Sequence, residues 1–151
     1  MQNILLSVVI PLYNASQYVE QCLTSLQSCK AREVEFIFVN DGSSDDSAQH
    51  IEKVIAEDNR IQLINQENGG VSKARNTGME AARGSFVTFL DADDFFADHA
   101  LERMLSDLKA HPADFMAYAY NTLFDDGKIQ EELFEFQTDD ISEKAQCDRI
   151  M

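Results

Sequence analysis

The residues best suited to chemistry are the aspartates of Asp91-Ala92-Asp93-Asp94, which follow directly on an apolar run. An Asp-x-Asp pair at a strand end gathers carboxylates that repel one another unless a cation lies between them. Hard oxygen ligands of this kind suit Mg²⁺ or Mn²⁺, ions that also bind phosphate oxygens. The competing reading is a turn or a helix cap, and Asp94 is the most open to it. A second polar cluster is Asn40-Asp41-Gly42-Ser43-Ser44-Asp45-Asp46-Ser47. Asp41 can accept hydrogen bonds from a base or a ribose, Gly42 lets the chain turn away sharply, and Asp45 and Asp46 suit the start of the next helix. A third stretch, Asn68 to Gly78, joins Gly69 and Gly70 to a helix start carrying Lys73 and Arg75. Amides at a helix start can face an anion, and the two cations are conspicuous in an acidic chain; the alternative is that they are solvated helix charges. In the fourth, Pro11-Leu12-Tyr13-Asn14, Tyr13 can stack on a base or sit in the core.

Four apolar runs must position these groups. Leu5 to Leu12 and Val34 to Val39 are continuous and rich in Val, Ile, Leu and Phe, as strands buried on both faces require. Ile61 to Ile64 and Ser85 to Leu90 are shorter runs of the same kind. Between them lie helical patterns. Ser16 is placed to cap a helix with Tyr18, Val19, Cys22, Leu23 and Leu26 on one face. Asp46 or Ser47 starts the next, Ser72 opens one that runs to Ala82 with Gly84 as its stop, and Asp98 starts one that ends before Pro112. The order β-α-β-α-β-α-β-α predicts a mainly parallel sheet with helices on both faces, and a ligand crevice outside the carboxyl ends of its strands. All four polar clusters fall at such ends. Asp125-Asp126-Gly127-Lys128 predicts a hairpin turn, with Ile129 to Phe136 returning as a strand.

Composition narrows the function classes. The chain has 151 residues, 44% apolar, enough for a sizeable core. A net charge of −15 argues against nucleic acid as a partner. It also requires a cation between this protein and any phosphate ligand. No apolar stretch reaches the roughly 18 residues of a membrane span, and nothing reads as a signal peptide, so a cytoplasmic protein is expected. Cys22, Cys29 and Cys147 form no CxxC pair, and His50, His99 and His111 are scattered and expected to be unpaired and exposed. GxGxxG, GxxxxGK[ST] and Gly-x-Ser-x-Gly are all absent. A phospho-acceptor receiver domain would need an acidic pair after the first strand, where this chain has Tyr13-Asn14-Ala15.

Taken in order, Ser7 to Asn14, Phe38 to Asp45, Asn68 to Gly78 and Phe89 to Asp94 resemble the inverting GT-A glycosyltransferases of family 2 across about the first 95 residues. Asn40 departs from the aspartate the family often has there. The resemblance implies a Rossmann-like GT-A fold, with a nucleotide-sugar-binding domain over 1–112 and, over 113–151, the truncated start of an acceptor-side region. It implies that Pro11 and Tyr13 line the base pocket and that Asp41 contacts the base. Arg75 and Lys73 would approach the nucleotide, and Asp91 and Ala92 would lie beside it. Asp93, with Asp91, would hold Mn²⁺ or Mg²⁺. The implied partners are a nucleoside-diphosphate-sugar donor, UDP-sugar favoured, and a glycan or lipid-linked acceptor. Cell-envelope or polysaccharide synthesis, with peripheral attachment to membrane machinery at the inner face, follows from the same resemblance. No catalytic base is nominated, because the family's usual base lies roughly a hundred residues beyond the Asp-x-Asp. A noncatalytic nucleotide-binding module is the alternative.

Overall fold

The computed structural model describes residues 3–111, 113–124 and 126–132. The chain divides into two compact units, Met1–Leu105 and Ser106–Met151.

The first unit is built on four parallel strands, β1 (Leu6–Leu12), β2 (Val34–Asp41), β3 (Ile61–Gln66) and β4 (Phe86–Phe89), in the order β3-β2-β1-β4. The chain steps from β1 outward to β3, then crosses back to the far side of β1. The switch point, where such sheets bind ligands, therefore lies between the carboxyl ends of β1 and β4. All eight positions of β2 are buried, as expected of a strand with neighbours on both edges and cover on both faces. Pro11 is tolerated inside β1 because the pairing with β4 ends at Val9; beyond it, β1 is bonded on one side only.

The helices are α1 (Val19–Ser28), α2 (Ser47–Ile55), α3 (Val71–Ala81) and α4 (Ala100–Ala110), the last of which crosses the boundary between the units. On one sheet face α3 lies against β1 and β2, where Ala74 joins Val9, Ile37 and Val39 in a buried cluster. Gly78, one turn further on, makes that approach possible: a Cβ there would stand 2.2 Å from Val9 Cγ1 and 3.3 Å from Val39 Cγ2. Gly78→Ala is therefore expected to destabilise the protein by about 1–3 kcal/mol through overpacking, despite the ~1 kcal/mol that alanine gains in helix propensity. Urea unfolding measures the difference.

Two polar clusters, one buried and one part-buried, fasten the sheet at the amino ends of its strands. Glu35, 1% exposed, accepts bonds from the Ser7 hydroxyl, the Arg83 amide and the Arg83 guanidinium, at 2.6–2.8 Å. Burial pushes its pKa up, but these donors outweigh burial and hold it below the usual carboxylate value. Arg60 bonds Asp58 and the carbonyls of Cys29 and Ala31, and its guanidinium lies 5.2 Å from the centre of the Phe36 ring.

Several local expectations are corrected. Ser16 does not cap α1. The Ala15 carbonyl receives the first amides, Tyr18 stands at the cap position with no side-chain bond, and its ring is exposed rather than on the buried face. Gly84 does not stop α3, which ends when Ala82 turns extended. Gly84 instead lies so close to β1 that a Cβ would stand 2.7 Å from the Ser7 amide. The fourth helix begins at Ala100 rather than Asp98, after His99 takes a φ of 63°. His50 is not unpaired: it meets Glu20 at 3.1 Å. Cys22 and Cys29 are buried, as expected of core residues.

In the second unit, β5 (Tyr120–Leu123) and β6 (Ile129–Glu132) form the expected antiparallel hairpin. Gly127, at φ 80°, supplies the turn, and Asp126 bonds Lys128. Asp125 and the proposed strand residues 133–136 fall outside the described residues.

Candidate functional site

The four polar clusters meet at one edge of the sheet because each follows a strand of a parallel array. The loops after β1 and β2 are bonded to one another. The Asn14 amide donates to Ser43 Oγ at 3.1 Å, and Asn14 Oδ1 accepts from the Ser44 amide at 2.9 Å, an arrangement that needs the left-handed φ of 48° at Asn14. The Ala15 amide donates to Ser47 Oγ and the Ser16 amide to Asp45 Oδ2. Asp45 also accepts from the Ser47 amide and hydroxyl. Burial raises the Asp45 pKa, but these donors more than compensate and bring it down to about 2. Asp45 thus serves the start of α2 and the first loop together. With its backbone held, Tyr13 projects from the end of β1 with 56% of its surface exposed, and Pro11 is half-buried beneath it in sequence.

Asp41, at the tip of β2, is 3% exposed. Its Oδ1 accepts from the Gly69 amide at 2.9 Å and from Gln66 Nε2 at 2.6 Å, and its Oδ2 accepts from the Gly70 amide at 2.7 Å. Burial works to raise its pKa, but these bonds and the nearby Lys73 hold it below the ordinary value. Asp41 thus engages the Gly69 and Gly70 amides just ahead of α3. Asn68 bonds the Asp41 carbonyl, and the Lys73 side chain lies over Gly69, where a Cβ would stand 2.2 Å from Lys73 Cδ. Asn40 bonds Asn65 and the Ser43 amide, roles an aspartate could not fill in the same way, since it has no amide group to donate to Asn65.

Across the switch point, Arg75 donates to Asp91 Oδ1 at 2.7 Å, and its guanidinium lies 5.7 Å from the centre of the Phe89 ring. Its Nε is buried without a protein partner among the described residues. Ala92, between Asp91 and Asp93, is buried. Asp91, Asp93 and Asp94 are exposed. Burial raises the Asp94 pKa, and the charges of Asp93 and Asp91 raise it further, the signature of crowded carboxylates. Among the described residues no group of three or more His, Cys, Asp or Glu is gathered for a metal. A pair of strand-end carboxylates still fits Mg²⁺ or Mn²⁺, which are held through one or two carboxylates with ligand phosphates and water completing the shell.

The sequence reading placed Asn14 and Thr77 inside its polar clusters without giving them roles, and missed Gln66. Gln66 lies two residues beyond the apolar run that marked the third strand, so only the longer β2–β3 register reveals it.

The family model for glycosyl transferase family 2 matches residues 7–141. The chain belongs to glycosyl transferase family 2. It is 36% identical over 116 residues to the uncharacterized glycosyltransferase EpsJ of Bacillus subtilis, a match covering 77% of this chain and 34% of EpsJ. The structure of S. aureus TarS 1–349 in complex with UDP superposes with a TM-score of 0.67 and 29% identity, over 72% of this family 2 chain and 33% of TarS. The mannosyltransferase PcManGT of Pyrobaculum calidifontis, solved with GDP-Man and Mn²⁺, shares the fold at a TM-score of 0.65 and 23% identity, over 79% of this chain and 35% of its own. The parallel sheet flanked by helices is thus the Rossmann-like GT-A fold. The chain spans about a third of the length of these relatives.

Proposed function

We propose that this chain binds the donor of a glycosyltransferase reaction, a nucleoside-diphosphate sugar, in the cleft between the ends of β1 and β4. The observation that carries this reading is the assembly of an exposed aromatic ring, Tyr13, and the exposed Asp91-Asp93 pair at the switch point of the sheet. Tyr13 and Pro11 receive the base, with Asp41 at its edge. Asp91 and the Ala92 backbone border the ribose. Arg75, freed from Asp91, turns its guanidinium to the phosphates, with Lys73 behind it. Asp93, with Asp91, holds Mn²⁺ or Mg²⁺, which supplies the positive charge that stabilises a departing nucleoside diphosphate. UDP is the favoured nucleotide; TarS has been solved with UDP and with UDP-GlcNAc. Residues 1–112 form the donor domain, and 113–151 begin the acceptor side.

The whole reaction in this reading is transfer to an acceptor hydroxyl with inversion, in cell-envelope or polysaccharide synthesis at the inner face of the membrane. No described helix is long and apolar enough to cross a membrane, which accords with peripheral attachment. Since none of the residues is assigned as the base, a second reading is nucleotide binding without transfer.

A melting-temperature panel tests the shared claim. With Mn²⁺ present, one of UDP, GDP or dTDP is expected to raise the melting temperature, because a ligand selective for the native state stabilises it by linkage. A panel flat for all three overturns the proposal. Sugar transfer by the chain itself separates the first reading from the second.

A further inference from the structure

We infer that Gln66 and Thr77 are positioning residues that set the rotation of α3, and with it the aim of Arg75. The inference rests on the nucleotide reading only for its effect on affinity. Three bonds form a relay across three elements. Thr77 Oγ1 donates to Gln66 Oε1 at 2.7 Å, and Gln66 Nε2 donates to Asp41 Oδ1 at 2.6 Å. Asp41 in turn receives the amides of Gly69 and Gly70. The order is fixed by chemistry. A carboxylate only accepts, so Gln66 must present its NH₂ to Asp41 and its carbonyl to α3, where a hydroxyl is the group that answers it.

The consequence is that α3 is held at two points on opposite sides of Arg75. Asp41 grips the entry at Gly69 and Gly70, and Thr77 anchors the helix two residues past Arg75. Gly70, the cap residue, has φ 85° and no side-chain cap, and the Asp41 carboxylate holds its amide and that of Gly69 just ahead of the first turn, where negative charge is favourable. One residue past Thr77, Gly78 sits against Val9, which seats the helix close on the sheet. The relay adds bonds beside that seat that oppose rotation about the helix axis. Arg75 is left with its guanidinium against Asp91 and Phe89. Thr77 itself is remote from the proposed ligand in role: its hydroxyl is spent on Gln66.

Thr77→Val, Thr77→Ser and Gln66→Leu test this. Valine keeps the shape of threonine and removes the hydroxyl; serine keeps the hydroxyl. In the ligand-free protein, amide hydrogen exchange at Gly69 and Gly70 is expected to quicken about fivefold in Thr77→Val, the effect of losing one hydrogen bond, while β1 and β2 amides keep their wild-type rates. Thr77→Ser is expected to restore slow exchange. In the Gln66→Leu background Thr77→Val should add nothing, because the relay has lost its middle member. UDP titrated with Mn²⁺ should bind Thr77→Val about fivefold more weakly and Thr77→Ser normally. Unchanged exchange at Gly69 and Gly70 in Thr77→Val, a serine variant that behaves like valine, or additive effects with Gln66→Leu each overturn the inference. If the wild type binds no nucleoside diphosphate, the functional reading fails while the exchange rates still decide the relay.

Discussion

Asp93→Ala is expected to weaken nucleoside diphosphate binding in the presence of Mn²⁺ by at least about 100-fold, the effect of removing one of the protein's few metal ligands. The same substitution should leave the ligand-free melting temperature unchanged or slightly higher. Among the described residues no hydrogen bond or ion pair engages Asp93, and its charge is one of those pushing the Asp94 pKa up. Removing it relieves repulsion and costs the fold nothing. A structural aspartate behaves the other way, as Asp45 shows: it holds two loops and has a depressed pKa. Calorimetric titration and thermal unfolding of Asp93→Ala separate these cases. Asp91→Asn should also lose cation-dependent binding, and in addition lose the tie to Arg75.

Arg83→Ala is expected to destabilise the protein by about 3 kcal/mol at neutral pH, although the Arg83 side chain is 68% exposed. The cause lies in its partner. Glu35 is buried, and without the guanidinium its charge keeps only the Ser7 hydroxyl and one backbone amide. In the wild type the Glu35 pKa lies below its unfolded value, so its contribution is present above that value and is lost as pH falls through the folded pKa. In Arg83→Ala the guanidinium no longer opposes burial, so the folded pKa moves up. The penalty is then felt at neutral pH and relieved as the carboxyl protonates. The gap in melting temperature between the two proteins should therefore narrow on acidification from pH 7 toward pH 4. A gap constant with pH would show that Arg83 acts by packing alone.

The inner strands of the sheet were legible in the sequence because they are buried on both faces. Such strands must be continuous apolar runs, and β1 and β2 are. The place of the site was legible for the same reason: once the alternation of strands and helices implies a parallel sheet, every polar cluster after a strand falls on one edge. Gly78 was readable as a point of close packing, since a mid-helix glycine otherwise costs stability. What could not be read depends on contacts distant in sequence. The cap signal at Ser16 failed: Tyr18 stands at the cap position, and the Ser16 amide bonds Asp45, 29 residues away. Gly84 looked like a helix stop, yet the helix ends when Ala82 turns extended, and the Arg83 amide bonds Glu35, 48 residues away. Asp41 read as a ligand-facing carboxylate, and local sequence gave no sign that Gln66 and two glycine amides would surround it. His50 finds Glu20 only because α2 packs on α1.

The central claim is that a divalent cation makes this acidic cleft receptive to pyrophosphate. Isothermal titration of UDP into the wild-type chain, once with Mn²⁺ and once with EDTA, tests it directly. Saturable binding with Mn²⁺ that disappears in EDTA is the predicted result. Equal binding in both, or binding in neither, contradicts it.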